Sequence, residues 1–189
     1  RITFKRAVES KNIGFGIELG KTAFALRVVK PYYDGNKLIG YLELGQEIDH
    51  FLSTLKEKTG NEYSIFVKKD KLNRTDWAAA RKNAGKKDNW DNFSEMILTN
   101  STLGAEDVYG DKNSSCFNEN YANKIFSSET QDNSIINLDT NRACSGFTIS
   151  DASGKIVGSV LLDFDLSQGI SSVNKYVRDI WLVMVGLLI

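Results

Sequence analysis

Residues 37–61, KLIGYLELGQEIDHFLSTLKEKTGN, decide the fold, because the period of the apolar residues changes in the middle. In the first half Leu42 and Leu44 alternate with Tyr41 and Glu43, the two-residue period of a strand. In the second half Ile48, Phe51, Leu52 and Leu55 recur at helical spacing, and Gly60 can take the left-handed backbone that ends a helix. A strand therefore runs into a helix with almost no loop. Upstream, GFGIELG (14–20) alternates Phe15, Ile17 and Leu19. TAFALRVVKPYY (22–33) sets Phe24, Leu26 and Val28 on one face and Ala25, Arg27 and Val29 on the other. Asp34-Gly35 tolerates the positive φ of a tight hairpin, so 14–45 is expected to be an antiparallel meander. Residues 1–12, with Ile2, Ala7 and Val8 among charges, read as the end of a helix.

The same turn, strand and exit occur again in KIVGSVLLDFDLSQGISS, 155–172. At an offset of 118 residues, Lys37 falls on Lys155, Gly40 on Gly158, Leu42 on Val160, Leu44 on Leu162 and Glu47 on Asp165. Unrelated hairpins share alternation, but they seldom also share a lysine, a glycine and an acidic exit in register. The pattern predicts a duplicated module. The first copy has three strands before its exit, whereas the second can draw on everything from 62 to 165. A chain lacking the N-terminal part of its first module would show that imbalance.

Between the copies, EYSIFVKK (62–69) reads as a strand, and DWAAARKNA (76–84) and NWDNFSEMILTN (89–100) as two helices. Residues 101–141, rich in Asn, Ser and Asp, are expected to be irregular with one or two short strands. RACSGFTISDASGKIVGSVLLDFDLS (142–167) closes the chain as a hairpin around DASGK. The organisation expected is a remnant of a first module (1–46), a linking helix (47–60), a second module (61–168) and a stalk (169–189).

The 189 residues are 41% apolar and 25% charged, too apolar and aromatic for disorder. Formal net charge is zero, so nothing global points to nucleic acid. The end, WLVMVGLLI (181–189), is uncharged. As helix it rises only about 13 Å against roughly 30 Å of hydrocarbon, which allows a buried C-terminal helix. The abrupt change from charged to apolar, with Lys175, Tyr176, Arg178 and Trp181 at the border, favours the beginning of a transmembrane helix instead. RITFKRAVES lacks a Met and a long apolar run, so it is not a signal peptide and is expected to lie inside a larger protein. Cys116 and Cys144 are the only cysteines. They are either a bridge, worth roughly 3 kcal/mol by loop entropy, or two reduced buried thiols, and a place outside the membrane would favour the bridge.

With these residues in view, the chain resembles the double Cache sensor domains of bacterial transmembrane receptors. FALRVVKPYYDGNKLIGYLELGQEIDHFL followed by TGNEYSIFVKK carries the resemblance over the first 70 residues, and 142–189 carries it again. Residues 71–141 match no motif. The resemblance implies an α+β, PAS-like fold with antiparallel sheets and a ligand pocket under loops and helices on one face. It also implies a periplasmic position at the inner membrane and homodimerisation through long N-terminal helices. The output domain would lie in the cytoplasm, as in chemotaxis transducers, histidine kinases and diguanylate cyclases.

Candidate ligand residues fall in two groups. Arg27, Tyr41 and Glu43 share the outward-alternating face of two adjacent strands, where an Arg could take a ligand carboxylate bidentately. The alternative is a cross-strand Arg27–Glu43 salt bridge. Trp77 and Trp90 could wall a pocket with Arg81 one turn away, or be core with a solvated cation beside it. Tyr32, Tyr33 and Arg142 are weaker candidates. Asp163 and Asp165 suit an acidic strand exit better than a cation site. One histidine, His50, and the absence of clustered ligands argue against a metal or haem. No nucleophile elbow, P-loop or Cys-His pair is present, so the expectation is a binding domain without cofactor or catalysis. Its ligand would be an organic acid or amino acid. The alternative class is a membrane-anchored protein-interaction module with no small ligand.

Overall fold

The computed structural model describes residues 1–21, 23–103, 116–127 and 134–186, apart from the side chain of Asp49. Helix α1 (Ile2–Ser10) precedes strands β1 (Gly14–Leu19), β2 (Phe24–Asp34) and β3 (Lys37–Glu47). Helix α2 (Asp49–Thr59) leads to β4 (Glu62–Lys68), α3 (Arg74–Asn83) and β5 (Met96–Ser101). Then follow α4 (Glu119–Ser127), β6 (Ile135–Asn137), β7 (Arg142–Ser150), β8 (Ile156–Asp165) and α5 (Ser167–Gly186). The strands form two separate antiparallel sheets, ordered β1-β2-β3 and β5-β4-β8-β7-β6. The two echoed hairpins thus lie in different sheets, and each runs into a helix, β3 into α2 and β8 into α5.

In the first sheet Val29 pairs with Glu43 and Pro31 with Tyr41, so these residues and Arg27 share a face. That face is covered by α1: Ala7 and Val29 are fully buried, and the rings of Phe4 and Tyr41 lie 4.9 Å apart. The approach is so close that a Cβ on Gly14 would stand 2.1 Å from the Thr3 carbonyl oxygen. The opposite face carries Phe15, Leu26, Val28, Leu42 and Leu44. It is buried only at its Leu19–Phe24 end; Phe15 and Leu44 are each 65% exposed.

The second sheet is buried on both faces, which is why β4 reads as a continuous apolar run rather than an alternation. One face packs Phe66, Met96, Leu98 and Leu161 against Phe117, Tyr121, Ala122 and Ile125 of the α4 segment. The other packs Ile65, Val67, Ile149 and Val160 against Leu52 of α2 and Phe24 of the first sheet. Phe24 lies on Gly158, where a Cβ would stand 2.9 Å from its ring. The Ala152 N–H, in the β7–β8 turn, donates to the Ile17 carbonyl at 2.7 Å. The sheets therefore meet at the β7–β8 turn end of β8, through the Phe24 ring, Ile17 and Leu19, the close approach of Gly16 to Ala152, and the Ala152–Ile17 backbone bond.

Two expectations are corrected. Residues 89–100 are not a helix: a single 3₁₀ turn, Trp90–Asn92, precedes β5. Met96, Ile97 and Leu98 are all buried, since Met96 and Leu98 pack under α4 while Ile97, paired with Val67, is covered on the opposite face, and a consecutive apolar run mimics a helix when both faces of a strand are covered. Residues 119–127, expected to be irregular, form α4, whose Tyr121, Ala122 and Ile125 recur at helical spacing. Helix α5 is about 30 Å long. Asp165 Oδ1 accepts from the Ser167 N–H at 2.8 Å to start it. From Ser171 to Val185 every residue is exposed. Among the described residues no helix is long and apolar enough to cross a membrane.

Candidate functional site

Arg27 lies between two glycines, Gly16 on β1 and Gly45 on β3. Its side chain rests on the space above Gly45, with Nη1 3.6 Å from where a Cβ would sit. Nη1 donates to Glu43 Oε1 at 2.5 Å, and Nε lies 3.4 Å from Glu18 Oε2. The buried Glu18 accepts from the Thr3 N–H and hydroxyl at 2.7 and 2.8 Å. Arg1 bonds the same Glu43 oxygen as Arg27. The Arg1 hydrogen bond lowers the Glu43 pKa; slight desolvation opposes it, and the Arg27 bond adds to it. The cross-strand pair is therefore present, and the face that holds it is not outward as the alternation suggested: α1 covers it. Tyr41 packs against Phe4 rather than lining an opening. Tyr32 and Tyr33 stand exposed at the hairpin end.

Trp77, on α3, is only 1% exposed, with Arg81 over its ring at 5.7 Å. Among the described residues its Nε1 has no hydrogen-bond partner. Arg81 Nε donates to the Lys87 carbonyl at 2.9 Å. Trp90 is half-buried between Lys69 at 5.7 Å and Arg74 at 5.4 Å. Arg74 pairs with Asp88 at 2.6 Å. Burial pushes the Asp88 carboxyl up, and donation from the Trp90 N–H and Arg74 more than reverses it.

The two groups do not converge on one pocket. Between them runs an open cleft of about 590 Å³, and of the six candidates only Arg27 lines it. Arg27, Glu18 and Arg1 form the first-sheet side, Lys21 the loop beyond β1, Lys71 the approach to α3 and Asp76 its first turn. Lys21 reaches Asp76 at 3.1 Å. Four cations and two carboxylates line the cleft, and two further carboxylates already hold three of the cations: Glu43 bonds Arg1 and Arg27, and Asp70 bonds Lys71 at 2.9 Å. Asn73 also lines the cleft, but its side chain already accepts from the Thr75 and Asp76 N–H groups, so the first amides of α3 are capped. Lys21, Lys71 and Asp76 were not found from the sequence. The local signal was the Asn73 cap, which marks where α3 starts but not what it faces.

Cys116 and Cys144 are joined as a disulfide, with Cα atoms 5.2 Å apart, inside the cluster under α4. Arg142 and Asp163 form a two-bond pair at the end of β7 and β8.

Residues 2–118, more than half of the chain, match the double Cache family described as "Double sensory domain of two-component sensor kinase". The chain belongs to that family: it is a sensory domain of the double Cache type. The match begins at α1 and runs through both the first sheet and the opening strands of the second. No curated protein matches the chain.

Proposed function

We propose that this chain is the sensing part, outside the cytoplasm, of a bacterial transmembrane receptor. Its ligand would be a small organic acid or amino acid held in the cleft between the first sheet and the start of α3. The observation that carries the ligand class is the charge of that cleft, where Arg1, Lys21, Arg27 and Lys71 face Glu18 and Asp76. A ligand carboxylate would compete with the neighbouring acids for these cations, and an amino group would find Glu18 and Asp76. The cleft volume lies within the range of small-molecule sites. The signal would leave through α5. The exposed apolar run from Ile180 to Val185, bordered by Lys175, Tyr176, Arg178 and Trp181, supports entry of that helix into the membrane. The uncovered face of the first sheet supports a first module that is incomplete in this chain. Of the possible outputs, a histidine kinase agrees best with the family description.

A thermal-shift screen with organic acids and amino acids tests the reading. A ligand at a hundred times its Kd stabilises the native state by about 2.7 kcal/mol. Lys71→Gln and Lys21→Gln should each weaken the shift without lowering the ligand-free Tm. A complete panel that moves nothing would overturn the ligand class.

A second reading is favoured by the open apolar face of Phe15, Val28, Leu42 and Leu44, which suits a protein partner in a module with no small ligand. Pull-down of one extracytoplasmic protein, abolished by Leu44→Ser and accompanied by no ligand shift, would establish it.

A further inference from the structure

Every cation of the cleft beside α3 already has an acid. Glu18 and Glu43 hold Arg27, Glu43 holds Arg1, and Asp70 holds Lys71 at 2.9 Å. Lys21 is held by Asp76 at 3.1 Å. Charge therefore balances there pair by pair. The pairs differ in what they join. Arg1, Arg27, Glu18 and Glu43 all stand on the first-sheet side. Asp70 is the sequence neighbour of Lys71 and moves with it. Among the described residues, Lys21–Asp76 is the pair that spans the opening, from the loop after β1 to the first turn of α3. It is also loosely held: the two side chains are 73% and 43% exposed, so water competes for both charges and the pair adds little stability.

What can exchange with this pair depends on the charge that arrives. An anion that takes Lys21 leaves Asp76 without its cation and facing a second negative charge. A cation that takes Asp76 strands Lys21 in the same way. A molecule with both charges turns one ion pair into two, in the order Lys21 ammonium, ligand carboxylate, ligand ammonium, Asp76 carboxylate. Leu19 and Leu72 also line the cleft and belong to the apolar contact between the sheets, so an apolar part of the ligand has a surface to lie on. We propose that Lys21 and Asp76 are the specificity-determining residues of the cleft, and that its ligand is a compact zwitterion bound in place of their pair. The inference rests on the cleft being the ligand site, and narrows the ligand from acids in general to molecules that carry an ammonium as well. The bound zwitterion joins the first sheet to α3 through two charged contacts in place of one.

Calorimetric titration of the chain with matched triplets tests this. Each triplet is an amino acid with an apolar side chain, its deaminated acid and its decarboxylated amine, such as phenylalanine, phenylpropanoate and phenylethylamine. At least one amino acid should bind about tenfold more tightly than both its acid and its amine. Asp76→Asn should cut the preference over the acid to about twofold and keep the preference over the amine, since the acid no longer meets a stranded carboxylate. Lys21→Gln should do the reverse. General weakening or partial unfolding cannot produce that crossed pattern. Acids that bind the unsubstituted chain as tightly as their amino acids would overturn the zwitterion and leave the ligand cleft standing. Equal loss of all three compounds in both variants, or unchanged selectivity in both, would overturn the role of the pair. No binding by any member of any triplet would overturn the zwitterion and, with the failure of the wider acid panel, the cleft as a ligand site.

Discussion

Arg142 and Asp163 meet through two parallel bonds, Nε to Oδ1 and Nη2 to Oδ2, each 2.7 Å. The carboxylate is 6% exposed and the guanidinium 37%, so the pair is lopsided. Removing the arginine leaves a buried charge, whereas removing the acid leaves a cation that can turn to water. Arg142→Met is therefore expected to destabilise by about 3 kcal/mol, and Asp163→Asn by clearly less. Arg142→Lys should recover only part, because one ammonium cannot make the two-pronged contact. Urea denaturation of the three variants checks the order.

Glu119, at the start of α4, accepts from the Ser94 N–H at 2.9 Å, the Ser94 hydroxyl at 2.7 Å and the Met96 N–H at 2.9 Å, and also from the Glu95 N–H. Burial raises its carboxyl, and these donors together outweigh burial, so the pKa lies below the ordinary value near 4.5. A lowered folded pKa gives stability that is complete above the unfolded value. It is lost as pH falls through the folded value. Glu119→Gln should thus cost about 1–3 kcal/mol at pH 7 and flatten the loss of stability below pH 4.5. Denaturation midpoints from pH 7 to 3 measure both.

The bridge from Cys116 to Cys144 closes a loop of sequence separation 28. On the loop-entropy account its reduction should lower stability by roughly 3–4 kcal/mol. Both cysteines are at most 2% exposed, so native-state reduction should be slow and should follow local opening under α4. Comparing denaturation with and without dithiothreitol, and timing thiol labelling in the native state, tests each part.

Gly158→Ala would set a Cβ 2.8 Å from the Phe66 carbonyl and 2.9 Å from the Phe24 ring. Either the ring moves or the strand does. A loss of about 1–3 kcal/mol is expected, with the first sheet affected more than the second. Hydrogen exchange should speed up at Phe24 and Ile48, whose amide donates to the Phe24 carbonyl at 3.0 Å, while β4 stays protected.

The elements that alternate or repeat with one face covered were legible in the sequence. β1, β2, β3, α2 and the closing hairpin follow directly from Phe15, Ile17, Leu42, Leu44, Ile48 and Leu52. What misled was burial on two sides. Met96-Ile97-Leu98 has no period because both faces of β5 are covered, Met96 and Leu98 by α4 and Ile97 on the other side, so β5 passed for helix. α4 was hidden in an Asn- and Ser-rich segment where Tyr121, Ala122 and Ile125 are its only buried members. For the site, the Arg27–Glu43 neighbourhood was readable as a cross-strand pair, but which face it occupied was not. Leu26, Val28, Leu42 and Leu44 look like the core side by composition, yet α1 packs on the other face, through Phe4 and Ala7. The cleft was invisible for a different reason. Lys21, Lys71 and Asp76 are ordinary surface charges until the docking of Phe24 on Gly158 brings two sheets side by side.

β8 has a mechanical meaning beyond its place in the core. Ten residues of extended chain make a rod of about 33 Å. It is held along its length by β4 on one side and β7 on the other. One end is the Asp151–Lys155 turn, bonded to Ile17 of the first sheet, and at the other end only Leu166 separates β8 from α5. There is no slack loop between these points. The strand can neither shorten, buckle nor slide without breaking two ladders at once, so the line from Ile17 to the first turn of α5 is stiff along its whole length.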